Sequence, residues 1–228
     1  MSNETILKVI VGSQMWGTAT PESDTDYKEV VMAPLADVLN PFKNHGKGIQ
    51  RENEGDDNAL YELMHFFRLC EKGNPTLLEV LYTPLIVEQT EIGEELRRHR
   101  HEWIDSKNVI KATTGMAKAQ LMRAKRYLAE NPHDRRIGKL YASTALSLEL
   151  SRDVIASQGK MEDIKPSGMR EAMIRAKQGD IDVYPALLDH IESTTLSIQF
   201  MEAHMTHFEA RKGLMTAFCR YWYQRGNE

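Results

Sequence analysis

The sequence predicts an α+β fold in which a small mixed β-sheet is followed by an α-helical bundle. Two observations predict this class. Strand-like β-branched runs occur only before about Thr90, whereas apolar residues at helical spacing fill the rest of the chain. The length of 228 residues is enough for one large domain or two small ones. We therefore expect a sheet-containing domain over residues 1–90 and an α-helical domain over residues 91–228.

Each element of the first part follows from its local pattern. Residues 6–11 and 27–32 are short β-branched runs, which predict two strands. Residues 40–55 are rich in Asn, Gly and Lys, which predicts a mobile loop. Apolar residues then fall at helical spacing over residues 60–70, and the Gly-Asn-Pro sequence at residues 73–75 predicts the end of that helix.

The second part consists of long helical patterns separated by breaks that contain Pro or Gly. No internal repeat of fixed period is evident, which argues against a solenoid. The predicted helices cover residues 107–131, 137–158, 169–178 and 183–212, with a last piece through Trp222.

The composition is ordinary for a soluble globular protein. Charged residues make up 27% of the chain and hydrophobic residues 41%. No apolar run approaches the roughly 20 residues that a membrane span needs, and the N-terminus lacks a signal-peptide pattern. Cys70 and Cys219 both lie among apolar neighbours in helical patterns, which is typical of reduced core cysteines. We therefore expect a cytoplasmic protein without a membrane partner.

The overall charge of −4 is unevenly distributed. Residues 1–90 carry a net charge of −7, from 7 Lys and Arg against 14 Asp and Glu. The rest of the chain is basic, and residues 107–139 hold nine Lys and Arg against two acids. The acidic half could bind a metal ion while the basic half binds a polyphosphate. A solvated helix face is the alternative interpretation of the basic segment, and nucleic-acid binding is a further one.

The segment with the most chemical information begins at Gly12-Ser13 and ends at Asp24 and Asp26. A glycine directly after a strand lets the backbone approach a phosphate closely, and Ser13 adds a hydroxyl donor. Asp24 and Asp26 are two residues apart, so an extended backbone places both carboxylates on one face. Two such carboxylates can share a hard divalent cation together with substrate phosphates. The segment therefore predicts a site for a metal–nucleotide complex.

Each part of this segment also has a purely structural interpretation. An Asp-x-Asp sequence is commonly a solvated turn, and Ser or Asp beside a strand is commonly a capping residue. The combination of a strand, a Gly-Ser turn, a short return and an Asp-x-Asp entering a second strand is far more specific. This combination favours the functional interpretation.

The arrangement resembles the nucleotidyltransferase superfamily related to DNA polymerase β. More narrowly, it is similar to a family of predicted nucleotidyltransferases in bacteria and phages, through three blocks of sequence. The blocks are Gly-Ser…Asp-x-Asp within residues 12–31, Asp before Tyr-Glu-Leu within residues 57–63, and Asn-Pro…Glu-x-Leu-Tyr within residues 73–82. The resemblance covers about residues 5–85 and is faint in the helical half, where only residues 136–141 and 174–179 are similar.

The resemblance implies a role for each residue of the motif. Asp24 and Asp26 would be catalytic metal ligands, and Gly12 and Ser13 would hold the β- and γ-phosphates of a nucleoside triphosphate. The implied cofactor is Mg²⁺ or Mn²⁺, and the donor substrate is an NTP such as ATP. Lys139 is the first candidate for a basic residue that reaches the triphosphate from the helical part, although a solvated surface lysine is the alternative.

Asp57 would be the third carboxylate, both catalytic and metal-binding, if the resemblance extends to it. Asp56 is adjacent and Glu54 is close, so a neighbouring acid could take this role. An Asp just before an amphipathic helix is also a good N-cap, which leaves a capping interpretation open.

Glu79 lies inside an apolar run, where a carboxylate needs a partner. Arg68 is a candidate for a structural ion pair with Glu79, and a catalytic role is the alternative.

The function implied by the resemblance is metal-dependent transfer of an NMP from an NTP to an acceptor hydroxyl, with release of pyrophosphate. Two metal ions would activate the acceptor hydroxyl and neutralise the leaving pyrophosphate, so that catalysis consists mostly of positioning and electrostatics. The acceptor could be an RNA end, a protein side chain or a small molecule. The alternative function is that of a catalytically inactive relative, which binds a nucleotide or a partner and acts as a regulator or antitoxin.

Overall fold

The strands of the first part form one five-stranded mixed sheet. The computed structural model describes residues 3–40, 49–53 and 56–225, with the side chains of residues 49–53 and 56–58 left aside. The strands are β1 (Glu4–Val11), β2 (Asp26–Met32), β3 (Ile49–Asn53), β4 (Asp56–Glu62) and β5 (Ile86–Gln89). Their order across the sheet is β3-β4-β2-β1-β5. The strands predicted at residues 6–11 and 27–32 are confirmed as β1 and β2.

The pairing of β1 with β2 positions the predicted motif. These two strands are antiparallel, and Val11 at the end of β1 lies opposite Asp26 at the start of β2. The chain between them forms a one-turn helix, α1 (Gly12–Met15), and then a turn closed by the Ser23 N–H donating to the Thr20 carbonyl at 2.9 Å. The end of one strand and the start of the next therefore meet at one edge of the sheet. A second short helix, α2 (Leu35–Val38), follows β2.

Two predictions for the region between β2 and the next helix are wrong in part. Residues 49–53 of the predicted loop form β3, while residues 41–48 lie outside the described residues. The predicted helix at residues 60–70 begins only at Leu63, as α3 (Leu63–Glu71), because the chain before it is β4. β4 pairs with β2 on one side and β3 on the other, and these pairings provide the backbone hydrogen bonds that a local helix would otherwise supply.

A tight turn joins α3 to α4 (Pro75–Tyr82), as the sequence predicts. Gly73 adopts a φ of +67°, and a Cβ atom there would lie 2.3 Å from the backbone nitrogen of Val109. Asn74 caps α4, because its Oδ1 accepts a hydrogen bond of 3.0 Å from the Thr76 N–H. Glycine is required here both for the left-handed backbone and for the close approach of the helix that contains Val109 (Ser106–Glu130).

Beyond residue 90 the described residues form helices joined by loops and contain no strand, as predicted. Beyond β5 the chain forms six α-helices: α5 (Glu91–Arg98), α6 (Ser106–Glu130), α7 (Arg135–Ala156), α8 (Arg170–Lys177), α9 (Tyr184–His204) and α10 (Lys212–Arg225). α5 lies outside the predicted helices, and the helix predicted at residues 183–212 ends early, at His204, as α9. The reason is a tertiary contact: the Ser106 N–H and hydroxyl both donate to the Phe208 carbonyl, which holds residues after α9 out of a helix.

α7 is the central helix of this part. It packs against α6, α8, α9 and α4, and its side chains at Ala142, Ala145 and Leu148 are fully buried. Its approach to α8 is close, because a Cβ atom at Gly138 would lie 1.9 Å from the carbonyl oxygen of Ala176. The position of α8 is therefore set by the absence of a side chain at Gly138.

One hydrophobic core runs through both parts of the chain. Phe66 and Leu77 from the first part are fully buried in the same cluster as Trp103 and Ile137 from the second. The division into two domains at residue 90 stays a prediction. Within the described ranges, no helix is long and apolar enough to cross a membrane.

Candidate active site

The glycine at the end of β1 is under a strict steric constraint. Gly12 has a φ of +65°, a conformation that side chains rarely adopt. A Cβ atom at Gly12 would lie 2.4 Å from the Asp26 Oδ2 atom, because the strand pairing brings Asp26 directly beside it. The predicted Gly-Ser turn and the predicted carboxylate are therefore in contact.

A cavity of about 430 Å³ opens at this edge of the sheet. One wall comes from the β1–β2 connection and α4, and the other from α7 and the end of α8. Its lining residues are Gly12, Ser13, Trp16, Thr20, Glu22, Ser23, Asp24, Asp26, Glu79, Arg135, Arg136, Lys139, Ser143, Leu146, Ser147 and Lys177. Five of the six site residues proposed from the sequence thus line one cavity, and a volume of this size can hold a small-molecule ligand.

The carboxylates of Asp24 and Asp26 give this cavity an acidic wall. Asp26 is the first residue of β2 and is partly buried, whereas Asp24 precedes the strand and is exposed. Oxygen donors of this kind suit a hard divalent cation, which completes its coordination with water and phosphate oxygens. Among the side chains that the structure describes, no group of three or more His, Cys, Asp or Glu forms a metal site by itself.

The side chain of Asp57 lies outside the described residues, but its backbone position is informative. Asp57 belongs to β4, where it lies opposite Glu52 of β3. β2 and β4 are parallel with Lys28 level with Ala59, so the same register continued by two residues brings Asp57 level with Asp26. The capping interpretation of Asp57 is wrong, because the N-cap of α3 is Glu62, which accepts hydrogen bonds from two helical N–H groups.

Glu79 holds the Gly-Ser turn in place through hydrogen bonds. Its Oε1 accepts a hydrogen bond of 3.0 Å from the Trp16 Nε1–H, and its carboxylate also accepts one from the Gly12 N–H. Burial raises the pKa of Glu79, the two hydrogen bonds lower it, and the Asp26 charge raises it. The expected ion pair with Arg68 is wrong, since Arg68 is exposed and Glu79 faces the cavity instead.

Lys177 also lines the cavity, although it is not among the residues predicted from the sequence. It is the last residue of α8, and its Nζ donates hydrogen bonds of 3.0 Å to both the carbonyl and the hydroxyl oxygen of the buried Thr18. Burial and the nearby Lys139 lower the pKa of Lys177, while Asp26 raises it. The only signal in the sequence was the similarity of residues 174–179 to the family, which points to the end of this helix.

The wall formed by α7 is basic. Lys139 lines the cavity and is exposed, while Arg135 forms an ion pair of 3.2 Å with Glu22 from the facing turn. Arg136 also lines the cavity and is bound by Asp134, the N-cap of α7. The site therefore has carboxylates on the sheet side and cations on the helical side, which is the arrangement that a metal-bound polyphosphate requires.

The sequence is similar to those of known proteins. A family model described as "RNA repair pathway DNA polymerase beta family" matches residues 2–159. An uncharacterized 38.9 kDa protein from the nrdC–mobD intergenic region of Enterobacteria phage T4 is 36% identical over 88 residues, which are 36% of this chain and 26% of the phage protein. The chain thus spans about a quarter of the length of that relative.

One solved structure was found to be similar to this chain. It is spectinomycin adenyltransferase AAD(9) from Enterococcus faecialis with ATP and spectinomycin, which is 15% identical to this chain with a TM-score of 0.37. The similarity covers 86% of this chain and 92% of the adenyltransferase.

Proposed function

The chain belongs to the RNA repair pathway DNA polymerase beta family, which places it among the DNA polymerase β-like nucleotidyltransferases, and on that premise we propose a specific activity. It transfers an NMP from an NTP to an acceptor hydroxyl and releases pyrophosphate. The observation that carries the proposal is the cavity in which the Gly12 turn and the Asp24 and Asp26 carboxylates face Lys139 and Lys177.

The triphosphate of the donor lies between the two walls of this cavity. We assign the Ser13 hydroxyl and the backbone N–H groups that follow Gly12 to the phosphate oxygens, since Ser13 lines the cavity and the Gly12 N–H itself donates to Glu79. Lys139 and Lys177 supply positive charge from the opposite side. Burial lowers the pKa of Lys177, which means that its charged form is disfavoured. The negative charge of a phosphate beside it would stabilise that form and raise the pKa again.

The carboxylates fit a divalent metal ion, Mg²⁺ or Mn²⁺. Asp24 and Asp26 would hold it, with Asp57 as the proposed third carboxylate, since its backbone is level with Asp26 in the adjacent strand. When bound, such an ion lowers the pKa of the acceptor hydroxyl and neutralises charge on the triphosphate.

The remaining contribution of the chain is to position the reactants. Glu79 fixes the turn at Gly12 and Trp16, so the phosphate-binding amides do not have to be ordered when the nucleotide binds. The rigid sheet keeps Asp26 against Gly12. In-line attack of the acceptor oxygen on the α-phosphorus then breaks the bond to pyrophosphate, and the cations of the helical wall stabilise the charge on this leaving group.

We assign the donor chemistry to residues 1–90 and part of the phosphate binding to residues 91–228. The acceptor can be an RNA end, a protein side chain or a small molecule. The description of the family names an RNA repair pathway, which favours the end of a polynucleotide as the acceptor.

Label transfer from an α-labelled NTP tests the activity. With Mg²⁺ and a cell extract as the source of acceptors, the wild-type protein is expected to label a macromolecule, and the double variant Asp24→Ala, Asp26→Ala is expected to lose the signal. Removal of the metal ligands should lower the rate by at least roughly 10³-fold, since several kcal/mol of transition-state stabilisation depend on them.

Asp153→Ala is the matched control, because Asp153 is also an exposed aspartate but lies at the far end of α7, paired with Arg152. Equal labelling by the double variant and the wild type would exclude the proposed activity. NTP binding without any transfer would instead support the inactive, regulatory relative.

A further inference from the structure

The guanidinium group of Arg136 is fixed in place beside the cavity. Its Nε lies 3.0 Å from both carboxylate oxygens of Asp134, and its Nη2 lies 2.6 Å from Oδ2. One face of the group lies over the ring of Tyr127, 4.0 Å from the ring centroid. Asp134 is the N-cap of α7, which holds its carboxylate in place. The guanidinium group is therefore held along one edge by Asp134 and on one face by the Tyr127 ring.

The arginine platform, defined as Arg136 with Tyr127 and Asp134, has a face that remains accessible. The side chain of Arg136 is 61% exposed, and the same residue lines the cavity of the candidate active site. A planar cation with one free face is a stacking surface for a nucleobase.

Positive charge continues away from the cavity along α6. Arg126 lies over the Tyr127 ring at 5.2 Å, and hydrogen bonds from Arg126 and Arg123, together with the Arg136 charge, lower the pKa of the Tyr127 hydroxyl. Arg123 and Arg126 are exposed, so they can contact phosphates that follow a stacked nucleotide. The acids in this region are Glu130 and Asp134, and Asp134 is occupied by Arg136.

We propose that the arginine platform and the adjacent Arg123 and Arg126 bind a single-stranded nucleic acid that enters the active-site cavity with its terminal hydroxyl. One base of the strand stacks on the free face of Arg136, and its phosphates contact the two α6 arginines. The proposal rests on the proposed function, because the strand is the acceptor of the NMP. Single-stranded RNA and single-stranded DNA share this chemistry.

The combination of a stacking plane and spaced cations favours a nucleic acid over an acidic peptide. A peptide carboxylate would use the charge of Arg123 and Arg126 but would gain nothing from a supported planar face. A duplex would keep its bases stacked internally and present only phosphates.

Fluorescence anisotropy of labelled oligonucleotides tests the proposal. Single-stranded RNA and DNA of about 12 nucleotides are titrated with the full chain in the presence of EDTA and without NTP. Arg136→Lys keeps the charge but removes the planar group, so it should weaken strand binding by roughly 5- to 100-fold. Arg126→Ala should reduce the salt dependence of binding by about one phosphate contact.

Arg152→Lys is the matched control, because Arg152 is also on α7 and is also paired with a neighbouring aspartate, Asp153. It should leave strand binding unchanged. A loss that is specific to Arg136→Lys supports the proposal for whichever of RNA and DNA binds more tightly.

Three results would overturn the proposal. The first is equal strand binding by Arg136→Lys and Arg152→Lys, and the second is that polyglutamate displaces the labelled strand as well as an unlabelled strand does. The third is that Arg136→Lys keeps its affinity for the strand and, in a separate titration, loses affinity for NTP. The last would assign the platform to the base of the donor nucleotide. Because strand binding is measured without transfer, bound strand together with absent labelling would reject only the proposed activity.

Discussion

At the scale of single residues, Gly12 and Glu79 decide whether the candidate site can form. Gly12 needs a left-handed backbone and has no room for a side chain beside Asp26. Glu79 holds the same turn through two hydrogen bonds to Gly12 and Trp16. Neither residue needs to touch a substrate to be essential, because both fix the position of the amides that would bind phosphate.

Gly12→Ala should therefore reduce both stability and nucleotide affinity. The positive φ costs roughly 1 kcal/mol for alanine, and the close contact with the Asp26 carboxylate adds to this. Urea denaturation and NTP titration measure the two effects. Gly115→Ala is the control, since nothing lies within 4 Å of its added Cβ and the residue is inside α6, where alanine should stabilise by roughly 0.5–1 kcal/mol. A Gly12→Ala protein as stable as Gly115→Ala would contradict the steric argument.

Glu79→Ala and Glu79→Gln should differ in a defined way. Alanine leaves the Trp16 and Gly12 donors without their acceptor and should cost roughly 1–3 kcal/mol and raise the KM for NTP, while glutamine keeps an acceptor oxygen and should retain much of both.

The pH dependence of Glu79 has a definite sign. Because burial raises the pKa of Glu79, the folded state holds the proton more tightly, and this group's contribution to the free energy of unfolding falls as pH rises above about 4.5. Glutamine cannot titrate, so urea midpoints of Glu79→Gln should fall less between acidic and neutral pH. Identical pH profiles for the variant and the wild type would exclude this coupling.

At the scale of elements, the packing of α8 against α7 places Lys177 in the cavity. Gly138 allows the contact, because α7 approaches the Ala176 carbonyl where any side chain would collide with it. Lys177 directly follows Ala176, and its ammonium group is then held by two Thr18 oxygen atoms. Lys177 of the helical half therefore reaches the site because two helices pack closely, and no recognisable motif marks it.

Gly138→Ala tests this dependence. The added Cβ would lie 1.9 Å from a backbone oxygen, so α8 must move, at a cost of roughly 1–3 kcal/mol in stability. The shift should also raise the KM for NTP, because Lys177 moves with the helix. Lys177→Met should raise the KM for NTP without moving α8, at a cost in stability of roughly 1–3 kcal/mol because both Thr18 oxygen atoms lose their donor. Lys160→Met, at an exposed lysine outside the cavity, should change neither KM nor stability. A Gly138→Ala protein with wild-type KM for NTP would show that the packing of α8 against α7 does not affect the site.

At the scale of the whole molecule, one core and one cavity join the two parts of the chain. The cavity has carboxylates from the first part and cations from the second. The core contains fully buried side chains from both, among them Phe66 and Trp103. A ligand bound in the cavity would therefore contact both parts.

Unfolding of the described body should consist of a single cooperative transition. Trp16 reports on the turn of the candidate site and Trp222 on α10, so tryptophan fluorescence and far-UV circular dichroism should give the same urea midpoint. NTP with Mg²⁺ at a concentration 100-fold above Kd should raise the free energy of unfolding by roughly 2.7 kcal/mol and shift the midpoint as one transition. Two separated transitions would show that the parts fold independently and would favour the division at residue 90.

The sequence by itself determined the α+β class, the two strands that flank the Gly12 turn and most of the long helices. These features depend on local patterns: short β-branched runs, glycine after a strand and apolar residues at helical spacing. The combination of Gly12-Ser13 with Asp24-x-Asp26 could also be recognised from the sequence, because its parts lie within 15 residues of one another.

Only the tertiary structure decided which distant residues share the site. β4 is a strand because β2 and β3 pair with it, which sets Asp57 level with Asp26 rather than at the cap of a helix. Lys177 reaches the cavity because Gly138 admits α8, and Glu79 faces Trp16 rather than Arg68. These outcomes depend on backbone pairing and close packing between segments far apart in the chain, which no local pattern encodes.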